Sequence, residues 1–129
     1  MEKQFIPYEL ALELKKLGFE EPCFGCYDYE KELVLFQELE DKTFWRNKNI
    51  PECEVASPLF QQAFDWFLKR GYFADIKPDL IMTSFWSYRV VDINAKYNPE
   101  NLHRYRFVYY SDARLECLKK LIELRKNVK

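Results

Sequence analysis

Residues 57–71 read SPLFQQAFDWFLKRG, and this stretch decides the fold class. Ser57 and Pro58 are typical of a helix start, and Gly71 is typical of a helix end. The bulky apolar residues between them recur at helical spacing: Phe60, Ala63, Phe64 and Phe67, widened by Leu59 and Trp66. A stripe this wide, made largely of aromatic rings, indicates a helix that is buried against a sheet.

Two further helices lie on either side of this stretch. The first is predicted over residues 7–17, because leucines recur there at helical spacing and Gly18 can adopt the left-handed position that follows a last turn. The other is predicted to begin at Ser111 as its N-cap, and its apolar stripe consists of Leu115, Leu118 and Ile122, flanked by Leu121 and Leu124.

Between the helices the sequence favours strands. Residues 23–36 contain two β-rich runs around the charged turn Glu30–Glu32, which is typical of a hairpin. Residues 39–56 are expected to form a long surface connection. Further strands are predicted at 72–76 and 105–110, and residues 80–93 are predicted to form either one bent strand or a tight pair of strands. Helices and strands do not alternate strictly, so we expect an α+β fold: a mainly antiparallel sheet of about four to five strands with three helices packed on it. The 129 residues suit a single domain over 1–129.

Composition excludes a disordered chain and argues against a membrane span. Hydrophobic residues make up 48% of the chain and aromatic residues 18%, which is enough to build a core. No apolar run approaches the roughly 20 residues that a bilayer crossing needs. The first residues lack the basic start and apolar stretch of a signal peptide, so a cytoplasmic location is expected, with all four cysteines as free thiols.

Three stretches carry a resemblance to a known group of proteins. They are residues 6–11 leading to 17–24, residues 56–67, and the helix from Ser111 to Leu124. Their order and spacing resemble small uncharacterised proteins of Bacteroides-type gut bacteria, their phages and their mobile elements. The resemblance spans most of the chain and implies an intracellular setting and a phage or mobile-element origin, but no activity that can be carried over.

No motif points to catalysis or to a metal. Cys23 and Cys26 form a Cys-x-x-Cys pair, but a structural zinc site needs four ligands and the other candidates are scattered. The pair also begins a predicted strand, whereas a thioredoxin-type motif opens a helix. His103 could act in a catalytic triad only beside a nucleophile, but the sequence contains no Gly-x-Ser-x-Gly motif to supply one. Glycine is also too scarce for a phosphate-binding loop. We therefore assign no catalytic residue, no metal ligand and no cofactor, and an enzyme is the least favoured class.

Basic and aromatic residues alternate near the end of the chain, which raises nucleic-acid binding as the alternative function. Rings that stack on bases beside arginines that pair with phosphates are typical of single-strand binding. The sequence pI of about 5.9 argues against it, and a half-buried strand alternates in the same way. The residues concerned are Arg104, Arg106, Lys119, Lys120, Arg125 and Lys126.

The favoured function is therefore that of a small intracellular binding or accessory protein that acts through contacts with another protein, or with a second copy of itself. The reasons are the lack of catalytic motifs and the surplus of aromatic residues, which interfaces favour. Residues 103–129 carry a net charge of +5, which either balances the acidic residues 1–41 or faces an acidic partner. The candidate exposed anchors are Trp45, Trp66, Trp86 and Tyr88, although core packing is the commoner role of any one such ring.

Overall fold

The computed structural model describes residues 4–35, 47, 53–78, 85–93 and 100–127, with residues 100–106 described by their backbone. The described part divides into two compact units, Met1–Ala63 and Phe64–Lys129. The α+β class and the antiparallel pairing are confirmed. The prediction of one sheet is wrong, because the strands among the described residues form two three-stranded sheets. The single domain over 1–129 stays a prediction.

The first unit holds the helix α1 (Tyr8–Lys16) and the strands β1 (Gly25–Tyr27), β2 (Leu33–Leu35) and β3 (Val55–Ser57). The strand order is β2-β1-β3, and both pairings are antiparallel. α1 lies against β3. The core of this unit is formed by buried side chains of α1, the strands and the connecting segments, notably Ile6, Leu14, Phe19 and Val55.

α1 ends as its sequence predicts. Gly18 has a φ of +96°, which is the left-handed conformation that glycine adopts without strain. The amides of Gly18 and Phe19 donate to the carbonyls of Lys15 and Leu14, at 3.1 and 3.0 Å. This is the Schellman arrangement, and it turns the buried Phe19 back onto the helix.

The predicted hairpin is confirmed as β1 and β2, with Cys26 opposite Val34. Its turn is organised by Asp28, whose Oδ1 accepts hydrogen bonds from the amides of Glu30 and Glu32, at 2.8 and 3.0 Å. At the other end of β1, a Cβ on Gly25 would lie 2.9 Å from the ring of Phe5. The absence of a side chain at Gly25 therefore lets the N-terminal segment approach this strand closely.

The second helix of the chain, α2, covers Phe60–Leu68 and begins later than predicted. Ser57 is the last residue of β3, and its hydroxyl donates to the carbonyl of Ile6 at 3.2 Å, so it does not cap the helix. Instead, Oε1 of Gln62 accepts the amide of Leu59 at 3.0 Å. This is the half of a capping box in which the third helical residue reaches back to the residue before the helix.

The second unit holds the strands β4 (Tyr72–Pro78), β5 (Trp86–Asp92) and β6 (Glu100–Phe107), followed by the helix α3 (Tyr110–Lys126). The order β4-β5-β6 is antiparallel throughout, with an irregularity between Trp86 and Tyr88. α3 lies against all three strands. It buries Ala113, Cys117, Leu118, Leu121 and Ile122, which extends the predicted stripe.

Two predictions about the end of this sheet are wrong. The strand predicted over 105–110 is β6, which begins at Glu100 and ends at Phe107, and His103 lies within it opposite Arg89. α3 begins at Tyr110, one residue before the predicted cap Ser111, and the residue before the helix, Tyr109, makes no side-chain capping bond. Residues 108 and 109 are therefore left as a two-residue junction between strand and helix.

The prediction that all four cysteines are free is also wrong. Cys26 and Cys53 form a disulfide, with their Cα atoms 6.1 Å apart, while Cys23 and Cys117 are free and buried. The pairing of β1 with β3 brings the chain back past Cys26, so Cys53 can reach it. None of the described helices combines the length and apolar character that a bilayer crossing requires.

Candidate functional site

The end of the second sheet carries a group of rings that extends onto the surface. Trp86 and Phe107 lie opposite each other on β5 and β6, and the chain passes from Phe107 through Val108 and Tyr109 to Tyr110 at the start of α3. We call Trp86, Phe107, Val108, Tyr109 and Tyr110 the aromatic junction. It combines two strand ends, a two-residue connection and a helix start.

The exposure of the junction is high for apolar residues. Tyr109 is 66% exposed, Val108 59% and Tyr110 43%, and they are consecutive in the sequence. Single exposed apolar residues are common on protein surfaces, but a contiguous group often marks an interaction site. Three in a row at one junction therefore make this the strongest candidate surface of the second unit.

The junction is also held in a defined geometry. The rings of Trp86 and Tyr110 meet edge to face, with centroids 5.1 Å apart. Phe107 contacts the ring of Tyr88 with centroids 5.9 Å apart. The guanidinium of the buried Arg114, one turn further along α3, lies 5.5 Å from the centre of the Tyr110 ring. Tyr110 is therefore positioned by a ring on one strand and by a cation on its own helix.

The four predicted anchors have different environments. Trp86 is half-buried and belongs to the junction. Tyr88 is only 5% exposed, and its ring contacts that of Phe107 in the junction. Trp66 is 2% exposed, with the guanidinium of Arg70 at 3.7 Å from its ring centre, so it is a core residue of α2. Trp45 lies outside the described residues. The structure thus brings Trp86 and Tyr88 together and leaves neither Trp66 nor Tyr88 with an exposed ring.

Sequence reasoning missed Val108, Tyr109 and Tyr110, because it placed them in a strand that continued to residue 110. One signal was available. In a strand every second side chain faces the same side, so three consecutive bulky apolar residues cannot all be directed to a buried face. A strand that ends at Phe107 and leaves the three residues on the surface resolves that conflict.

Two of the residues proposed for nucleic-acid binding form ion pairs with glutamates of α3. Lys119 pairs with Glu116 at 3.2 Å, and Lys120 pairs with Glu123 at 3.3 Å. Arg125 and Lys126 lie in the last turn of α3, where they also interact favourably with the helix C-terminus. The side chains of Arg104 and Arg106 lie outside the described residues.

The first unit contains a polar group around two tyrosines. The hydroxyl of Tyr27 donates to the carbonyl of Ile6 at 2.7 Å, and burial raises the pKa of Tyr27 above its ordinary value. A hydrogen bond with Glu54 raises the pKa of Tyr8, whose ring meets that of Tyr27 edge to face. Both hydroxyls therefore stay protonated at neutral pH. They serve as hydrogen-bonding groups and do not act as bases.

The two free thiols are chemically inert in the folded chain. Burial raises the pKa of Cys23 to about 12, and it raises the pKa of Cys117 to about 12 as well. Because the thiolate is the reactive form, neither residue suits nucleophilic or metal-binding chemistry near neutral pH. Among the residues that the structure describes, no group of three or more His, Cys, Asp or Glu side chains could hold a metal ion.

Comparison with known proteins assigns no relative. The chain matches no family model, no curated protein and no solved structure.

Proposed function

We propose that the chain is a small binding protein that contacts another protein through the aromatic junction, and that this partner presents an acidic surface. The observation that carries the proposal is the exposed run Val108, Tyr109 and Tyr110 beside Trp86. A phage or mobile-element origin belongs to the same proposal as an expectation from the sequence.

The residue types at the junction support a protein interface. Tryptophan, tyrosine and arginine are the residues that most often dominate binding energies, and they do so where their rings are packed at the centre of an interface. In the free chain Tyr110 already contacts both Trp86 and Arg114. Since these side chains are ordered before binding, less conformational entropy is lost when a partner arrives.

Charge indicates the kind of partner. The second unit, residues 64–129, has 13 basic and eight acidic residues and therefore a net charge of +5. An acidic partner would be drawn to this unit by long-range attraction, while the junction supplies the apolar contact. We therefore expect association to slow at higher salt, with a smaller effect on the lifetime of the complex.

A protein partner fits the described residues better than nucleic acid does. Binding to a phosphate backbone depends on lysines and arginines that are free to displace counterions. On α3, Lys119 and Lys120 instead form ion pairs with Glu116 and Glu123, at 3.2 and 3.3 Å. Nucleic-acid binding through residues 103–129 accordingly stays the second prediction.

The proposal can be tested with the full chain as bait in an extract of its native host. We expect the variant Tyr109→Ser to lose a specific partner, with affinity reduced by at least about 30-fold if this ring is a central contact. The control is Tyr29→Ser, because Tyr29 is 70% exposed but lies in the turn of the first unit. Equal recovery of the partner by both variants would refute the assignment of the junction.

A further inference from the structure

The disulfide joins two points of the first unit that are distant in sequence. Cys26 lies in β1, and Cys53 lies two residues before β3, with a sequence separation of 27. Both residues are buried, at 0% and 6% exposure. The amide of Glu54 donates to the carbonyl of Tyr27 at 2.8 Å, so the bridge and the strand pairing lie next to each other. The bridge thus joins the residues that lead into β3 to β1.

We infer that this bridge is a condition for folding of the first unit, and that the chain matures where protein thiols are oxidised. Bridge formation removes two protons and two electrons from Cys26 and Cys53. A low-molecular-weight disulfide or a disulfide oxidoreductase accepts them by exchange and is itself reduced to two thiols. Stable bridges of this kind are rare in the cytosol, so the inference opposes the cytoplasmic location expected from the sequence.

The first unit is small, and its described strands are short. It contains 63 residues, and each of the three strands that the structure describes in it is only three residues long. Domains of this size bury a smaller share of their surface than larger domains do, and many of them add disulfides or metals. Closing a loop with a separation of 27 favours the folded state by roughly 400-fold in the chain-entropy description. That factor is comparable to the whole stability of a small domain.

The second unit does not share this dependence. Its strands β4, β5 and β6 have seven, seven and eight residues, and α3 has 17. Its single cysteine, Cys117, is free and buried. Reduction therefore has no bond to break there.

In the folded chain Cys23 is kept from exchange with the bridge. The thiol of Cys23 donates to the carbonyl of Glu21 at 3.4 Å, and the residue is fully buried. Its pKa of about 12 leaves almost no thiolate for exchange near neutral pH. Once folded, the chain therefore retains the bridge between Cys26 and Cys53, with Cys23 and Cys117 as unmodified thiols.

The first test counts thiols in the full chain purified from its native host. The protein is denatured without reductant, alkylated and weighed by mass spectrometry. Two alkyl groups are expected, and four would overturn the inference that the chain matures in an oxidising setting. Peptide mapping must assign the two alkyl groups to Cys23 and Cys117, because any other pair would contradict the bridge between Cys26 and Cys53.

The second test asks what the bridge stabilises. Hydrogen exchange is compared between the oxidised chain and the full-length double variant Cys26→Ala/Cys53→Ala, with Cys23→Ala as the matched control. We expect amides of residues 8–35 and 55–59 to lose protection by about 400-fold or until they exchange freely, while 72–78 and 110–126 keep theirs. Unchanged protection in the first unit, or equal loss in both units, would refute the inference. Reducing the unmodified chain gives the same comparison without any substitution.

Discussion

Asn47 should be one of the most sensitive polar positions of the first unit. Its side-chain amide donates to the carbonyl of Phe19 at 2.8 Å, and its Oδ1 accepts the amide of Ala56 at 2.9 Å. Ala56 belongs to β3, an edge strand that pairs with β1 on its other side. Asn47 therefore satisfies a backbone group at the edge of the sheet and ties it to the segment that follows α1.

The substitution Asn47→Ala removes both bonds from groups that water reaches poorly. Phe19 is fully buried and Ala56 is 1% exposed. A buried backbone group without a partner costs about 1–3 kcal/mol, and partial access of water reduces the sum for two such groups. We expect the free energy of unfolding to fall by about 2–4 kcal/mol. Asn47→Asp keeps the acceptor and loses the donor, so its free energy of unfolding should lie between that of Asn47→Ala and that of the original chain.

Urea unfolding of the oxidised chain, followed by fluorescence, measures this loss. The matched control is Lys69→Ala, because Lys69 is exposed on the second unit and should change stability by less than about 0.5 kcal/mol. A loss below about 0.5 kcal/mol for Asn47→Ala would show that these two hydrogen bonds do not hold the segment, and would contradict the account of the sheet edge.

Three further predictions follow from particular contacts. A double-mutant cycle on Trp86→Ala and Tyr110→Ala should give a coupling of about 0.5–1.5 kcal/mol in urea unfolding, as for other edge-to-face pairs, and additive losses would count against the ordered junction. Asp28→Ala should destabilise the hairpin by about 1 kcal/mol, whereas Asp28→Asn keeps the accepting Oδ1 and should lose less; equal losses would argue against the turn as described. The buried thiols have pKa values of about 12, so the unfolded chain releases its thiol protons first as the pH rises above about 9. The contribution of the two thiols to the free energy of unfolding is present below the unfolded pKa. It should fall by roughly 1.4 kcal/mol per pH unit and thiol between about pH 9 and 12. The measurement is the difference in the free energy of unfolding between the chain and its Cys23→Ala/Cys117→Ala variant, and a difference that does not change with pH would contradict the burial of the thiols.

Local signals in the sequence were sufficient for the helices. Leucines at helical spacing and Gly18 located α1 and its end, because both the stripe and the left-handed glycine act within one or two turns. Helix starts were less well predicted. Ser57 and Ser111 have the right chemistry for caps, but Ser57 bonds to Ile6, and α3 begins before Ser111. Contacts with distant residues outweigh a local preference of about 1 kcal/mol.

Strand pairing could be predicted only where it is local. The hairpin of β1 and β2 was recognised because the charged turn lies between its strands. The pairing of β1 with β3 joins residues about 30 positions apart, and β3 has only three residues, too few for a periodic pattern. The separation into two sheets, and with it the choice of Cys53 as the partner of Cys26, therefore could not be deduced from the sequence.

The candidate site was predicted in part for the same reason. The preference of interfaces for large rings predicts Trp86 as an exposed anchor, but it predicts Trp66 equally, and Trp66 is buried. Which ring is exposed depends on how α2 and the second sheet pack, and periodicity does not determine this for an amphipathic ring. Tyr109 and Tyr110 required knowledge of where β6 ends, which is the least reliable part of a sequence-based assignment.

A photo-crosslinking residue placed at Tyr109 tests most directly whether the aromatic junction binds a protein. Irradiation of the full chain in its native host should produce one discrete adduct from position 109, and none of the same mass from position 29, which is equally exposed in the first unit. The adduct should form less readily as the salt concentration rises. If position 109 yields no adduct, or yields the same unselective mixture as position 29, the junction is not a protein-binding surface.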